Sequence, residues 1–151
     1  MSTASLSEFA RLAALDNGLS VLATVRPDHS IQMSVVNAGV LKHPSSGEEM
    51  VGLVAVGGSR KLANLRKNPR ASVVIRAAWE WLAVEGTAEL IGPDDPESGL
   101  NTDAIRTLLR DIFSAAGGVH EDWETYDTVM AEQRRTAVLI APDRIYTNVP
   151  S

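Results

Sequence analysis

A chain of 151 residues with 44% hydrophobic and 22% charged residues fits one globular domain, expected to span 1–151. Its net charge of −5 argues against a general nucleic-acid surface, and the lack of cysteine excludes disulfides, thiolate nucleophiles and cysteine-based metal centres. No apolar run approaches the roughly 20 residues of a membrane helix; residues 1–8 lack the basic and apolar regions of a signal peptide, so cytoplasmic residence is the default expectation.

Ser5 and Glu8 have capping-box spacing, which predicts a helix whose apolar stripe is Leu6, Phe9, Leu12, Ala13 and Leu15, stopped by Asn17-Gly18. Residues 19–25 and 31–41 read as two strands of a hairpin around the turn at 26–30. A polar loop with Pro44 and Gly47 leads to a third strand, 50–56, apolar enough to be buried on both faces. Gly57-Gly58-Ser59 breaks it, residues 60–67 follow as a short helix, and Asn68-Pro69 stops that helix. Residues 71–76 and 79–91 are the fourth and fifth strands. Thr102 is the expected cap of a helix over 103–115, with Ile105, Leu108, Leu109 and Ile112 as its stripe. Gly117-Gly118 separates it from a helix over 121–132, where Trp123 and Tyr126 read as core. Residues 136–141 form the sixth strand, and 145–149 a separate terminal strand beyond Pro142-Asp143. Short turns between strands predict a barrel or sandwich, and the late helices make the class α+β.

The segment 56–64 carries the most chemistry. A strand ends, two glycines free the backbone, and a helix begins with Ser59, Arg60 and Lys61 in its first turn. Unpaired N–H groups at a helix start favour an anion such as phosphate. The same residues equally describe an ordinary helix with a solvated basic face. Arg66, Lys67 and Arg70 extend the positive stretch, which favours a small anionic ligand over a polyanion. Gln32, Ser34 and Val36 share one strand face; their polar pair meets either solvent or the edge of a heterocycle. Trp79 and Trp81 are expected on one face of the fifth strand, with Glu85 beyond them, lining a pocket or a subunit contact or packing into the core. His29, His43 and His120 show no metal-ligand spacing, so no metal is expected. No nucleophile–base set, GxSxG elbow or GxGxxG fingerprint stands out, so a catalyst built on this chain borrows its chemistry from a cofactor.

The ordered set of residues 21–25, Gln32-Met33-Ser34, residues 60–65, Asn68-Pro69-Arg70-Ala71, Trp79 through Glu85-Gly86-Thr87-Ala88, and residues 142–146 resembles the pyridoxamine-phosphate-oxidase-like, FMN-binding split-barrel proteins. The Ala-Val-Glu-Gly-Thr-Ala strand and the Trp-Glu-Thr-Tyr helix before Arg134-Arg135 are similar to the actinobacterial deazaflavin-dependent oxidoreductases of the B type. The resemblance implies a six-stranded split β-barrel with flanking helices, homodimeric, with two cofactor sites at the subunit interface. It implies F420 as cofactor, with FMN as the alternative, and hydride transfer from the reduced deazaflavin to an unsaturated small molecule. A non-catalytic F420 carrier is the reading from another class. The family's phosphate-binding lysine maps onto Lys61 and its polar strand position onto Ser34. Ser59 stands where the family often has arginine, His29-Ser30-Ile31 replaces a Gly-x-Pro turn, and Thr147 replaces a glycine. The expected cofactor-binding set is Gln32, Ser34, Asn37, Ser59, Arg60, Lys61, Asn64, Trp79 and Trp81, with Arg66, Lys67 or Arg70 available to the anionic tail that F420 has and FMN lacks. No side chain is assigned as proton donor.

Overall fold

The computed structural model describes residues 2–150. Its elements run β1 (Ser2–Thr3), α1 (Leu6–Ala13), β2 (Leu19–Val25), β3 (Ile31–Lys42), β4 (Glu49–Ala55), α2 (Arg60–Lys67), β5 (Arg70–Ala77), β6 (Glu80–Ile91), a 3-10 turn (Pro96–Ser98), α3 (Thr102–Ala115), α4 (Trp123–Glu132) and β7 (Thr136–Thr147). All pairings are antiparallel, in the order β1-β7-β4-β3-β2-β5-β6, and β6 also pairs with β7. That last pairing closes six strands into the expected α+β barrel. The closure is incomplete along β3. Its residues 38–42 pair with β4, whereas 31–37 are laddered to β2 alone.

Two cores follow from the strand period. Inward side chains of the barrel, among them Leu22, Leu53, Val73, Ile75, Leu82 and Val138, pack with Phe9 and Leu12 of α1 and Leu62 and Leu65 of α2. Outside the barrel, Leu108, Leu109 and Ile112 of α3 and Tyr126 of α4 cover Met50, Ala137 and Leu139. Strand β4 therefore has covered residues on both faces, as its unbroken apolar run predicts. Gly39 permits the approach of α3, since a Cβ there would collide with the Ala115 backbone.

Several local expectations need correction. The capping box does not form: the Ser5 hydroxyl meets Ser7 instead, and α1 ends before Leu15, which is 62% exposed. Asn17 and Gly18, at φ 53° and 65°, do terminate that segment, with the Gly18 N–H bonded to the Ala13 carbonyl. Asn101, not Thr102, caps α3 through the Ala104 N–H at 2.8 Å. Residues 136–147 form one strand. Pro142 sits opposite Gly86 at a bulge whose extra residue is Asp143, a place where a missing N–H is tolerated. The pairing of β1 with Tyr146 and Thr147 was outside the predicted elements.

Candidate functional site

Three features gather near the open half of β3. The first is a polar cluster. Asn64, only 2% exposed, donates its amide to Thr24 Oγ1 and Gln32 Oε1, each at 3.1 Å. Thr24 also donates to Gln32 Oε1 at 3.3 Å. The predicted pair Gln32 and Ser34 does share the inward, half-buried face of β3, but Gln32 is already held by α2 and β2. The Gln32 NH2 and the Ser34 hydroxyl make no hydrogen bond among the described residues and remain available to a ligand.

The second feature is the corner from β4 into α2. The Ser59 N–H closes a turn onto the Val56 carbonyl at 3.2 Å, with Gly58 at φ 78°, the conformation that such a turn reserves for glycine. Gly57 has the same need for a different reason. Its N–H bonds the Gln133 carbonyl at 3.0 Å, and a Cβ would lie 2.7 Å from Arg134. Ser59 then occupies the N-cap position of α2 without capping it: its Oγ is buried and has no partner. An orphaned hydroxyl beside free helix N–H groups and the cations Arg60 and Lys61 is what a bound phosphate satisfies. These residues fit the phosphate of either cofactor.

The third feature is a cavity of about 640 Å³ between the outer face of β3–β4 and the α3–α4 layer, bordered by Asn37, Val54, Phe113, Tyr126, Met130 and Arg135. It has no counterpart in the sequence expectations. Of the residues at its border, Tyr126 was read as core and Asn37 as a cofactor contact. Asn37 belongs to this feature. The strand period turns it to the face opposite Gln32 and Ser34, and its amide donates to the Asn17 carbonyl at 2.8 Å.

The tryptophans are not gathered with these groups. Trp79 lies outside β6, in a turn where Ala78 has φ 52°, and is 90% exposed. Trp81 packs edge-on against Tyr146, with ring centres 6.0 Å apart. The Tyr146 hydroxyl donates to Glu85, and that hydrogen bond, with burial, holds the phenol above its usual pKa. Along the β5 register, Ala71 lies opposite Thr24 and Ala77 opposite Glu80. Six residues at roughly 3.3 Å each therefore separate Asn64's level from the tryptophan end.

The basic stretch is also less free than it looks in sequence. Arg66 is clamped to buried Asp95 by two bonds of 2.9 and 2.8 Å. Arg70 pairs with Asp143 at 2.5 Å. Arg60, Lys61 and Lys67 have no acidic partner among the described residues. Among the described residues, no group of three histidine or acidic side chains is arranged for a metal, and no helix is long and apolar enough to cross a membrane.

Residues 7–148 match the family model for pyridoxamine 5'-phosphate oxidase. The chain belongs to that family. Solved structures agree on the fold. A conserved hypothetical protein from Mycobacterium tuberculosis aligns over 99% of this chain and 91% of its own, with TM-score 0.65 and 20% identity. An F420 reductase aligns over 91% and 95%, with TM-score 0.58 and 19% identity. A pyridoxamine 5'-phosphate oxidase-related, FMN-binding protein from Nostoc punctiforme aligns over 94% and 78%, with TM-score 0.62 and 14% identity. Membership in the family carries with it a fold suited to a flavin-type cofactor.

Proposed function

We propose that this chain is an F420-dependent reductase, in which the bound deazaflavin supplies a hydride to an unsaturated small molecule. The buried, unpartnered Ser59 hydroxyl carries the phosphate part of the reading, and the residue resemblance described above supplies the choice of deazaflavin. Ser59, Arg60 and Lys61 hold the phosphate, while Gln32 and Ser34 offer polar groups to the ring. Asn64 acts on Gln32 as a positioning residue, through the 3.1 Å bond between them. A charge-assisted contact contributes about 1.5–3 kcal/mol, so Lys61→Ala is expected to weaken cofactor binding by roughly 10- to 150-fold without loss of fold. High salt should weaken the wild type more than the variant. Wild-type affinity in a folded Lys61→Ala protein would remove the phosphate site from this corner.

FMN is the second reading, and one observation favours it. With Arg66 and Arg70 committed to carboxylates, the tail of F420 finds fewer free cations than the sequence implies. Titration with both cofactors at matched ionic strength decides; an FMN preference of about tenfold or more, ~1.4 kcal/mol, overturns the deazaflavin assignment. Turnover with several acceptors separates an enzyme from a carrier.

A homodimer is part of the same proposal. The register sets Val21 beside Val35, Ala23 beside Met33 and Val25 beside Ile31 on the outer face. Met33 and Val35 there are 67% and 69% exposed. A contiguous apolar face of this kind marks an interface. Sedimentation is expected to show a dimer burying more than ~2,000 Å², and Met33→Glu to shift it toward monomer. A wild-type chain that stays monomeric at micromolar concentration and binds cofactor normally refutes the dimer.

A further inference from the structure

We propose that the cavity between β3–β4 and the α3–α4 layer is a second ligand site, which takes an apolar, ring-containing molecule with one anionic group that Arg135 binds. It uses none of the residues that the redox reading above assigns to the cofactor. The volume, about 640 Å³, falls in the range that encloses a small organic ligand. Phe113, Tyr126, Met130, Val54 and Val119 supply an apolar wall. Phe113 and Tyr126 are part of a wider aromatic cluster, with ring centres 5.1 Å apart.

Arg135 is the exception in that wall. Every other arginine of the layer is committed to an acid. Arg106 and Arg110 hold Asp127, and Arg134 holds Asp94. Arg135 is half-buried, and its only side-chain bond among the described residues is from Nε to the neutral Gln133 amide at 2.8 Å. A guanidinium partly removed from water without a counter-ion is an unfavourable arrangement that an anion corrects. Its remaining N–H groups form a fork suited to a carboxylate. Val54 lies on the strand leading into Gly57, and Gly57 is bonded to Gln133, two residues from Arg135. The cavity wall is thus tied to the β4–α2 corner through the chain and one backbone bond, while the strand period keeps it on the face opposite Gln32 and Ser34.

The test uses two fluorescent probes of similar body, the anion 1-anilinonaphthalene-8-sulfonate and neutral N-phenyl-1-naphthylamine. The wild type is expected to bind the anion more tightly than the neutral probe. Arg135→Gln should weaken the anion by about tenfold or more and leave the neutral probe unchanged. Val119→Trp, at a position 89% exposed on the cavity border, should weaken both by obstruction while leaving the fold intact. Failure of the wild type to bind either probe overturns the proposal. So does an Arg135→Gln protein that binds the anion normally, or a Val119→Trp protein that binds both normally. Lys61→Ala keeps the two readings apart: it should lose cofactor affinity and retain both probes.

Discussion

The barrel interior and the α3–α4 layer pack against opposite faces of the same strands, yet they are held differently. Inside, Phe9, Leu22, Leu53, Leu62 and Val73 pack in a cluster with no charged member, and the backbone ladders run around it. The layer adds guanidinium–carboxylate clamps to a smaller apolar cluster: Arg110 on Asp127, Arg134 on Asp94, and Arg110 again 5.2 Å from the centre of the Trp123 ring. A dry core gains little from pH or salt, whereas exposed ion pairs respond to both. The difference teaches where ligand chemistry can reside. The barrel fixes the backbone of the β4–α2 corner, and the layer supplies adjustable side chains around a cavity.

The sharpest way to break this contrast is to open the barrel core. Phe9→Ala removes a fully buried ring that links α1 to the sheet. It is expected to lower the unfolding free energy by about 3–5 kcal/mol, read from urea titration. A loss under about 1 kcal/mol, the size of an exposed ion pair, would place the stability elsewhere. Asn64→Ala comes next. It strips buried Thr24 and half-buried Gln32 of a shared donor, and about 1–3 kcal/mol should be lost. A neutral result would mean that water replaces the amide.

The layer should show smaller, pH-linked effects. Hydrogen bonds from Arg110 hold the Asp127 carboxyl below its usual range, those from Arg134 do so for Asp94, and those from Thr125 for Asp122. Carboxylates depressed in the folded state stabilise it above their unfolded value, about 3.9. That contribution is lost as pH falls through the folded values. Protection of the α4 amides, relative to their intrinsic exchange rate, should therefore fall below about pH 4, before that of the barrel strands. Asp127→Asn should mimic part of this at neutral pH, costing about 1 kcal/mol or less. Equal acid sensitivity in β2 and α4 would erase the distinction between the regions.

Much of the barrel is legible because each of its strands alternates or runs apolar over at least five residues. The terminal strand was divided because Pro142 reads as a breaker; only the opposing Gly86 reveals a bulge that accepts it. The turn into α2 was legible from Gly57-Gly58-Ser59, since a glycine turn before a helix is a local pattern. Asn64 was named as a ligand contact, but its bonds to Thr24 and Gln32 depend on residues 40 and 32 positions away. The commitment of Arg66 to Asp95 was hidden for the same reason, with 29 positions between them. Arg135 stood in a quoted motif without a role, because a cavity between layers has no signature in one segment.

The split along β3 has a practical consequence. Residues 31–37 are hydrogen-bonded on one side, and their outward side chains are Ile31, Met33, Val35 and Asn37. An unladdered apolar strand is a template onto which other chains can add. In the homodimer proposed above this face is covered, and damage that uncovers it should leave the barrel folded but make the molecule adhesive. Such lesions would be recorded in soluble yield and particle size, while the melting curve stayed almost unchanged.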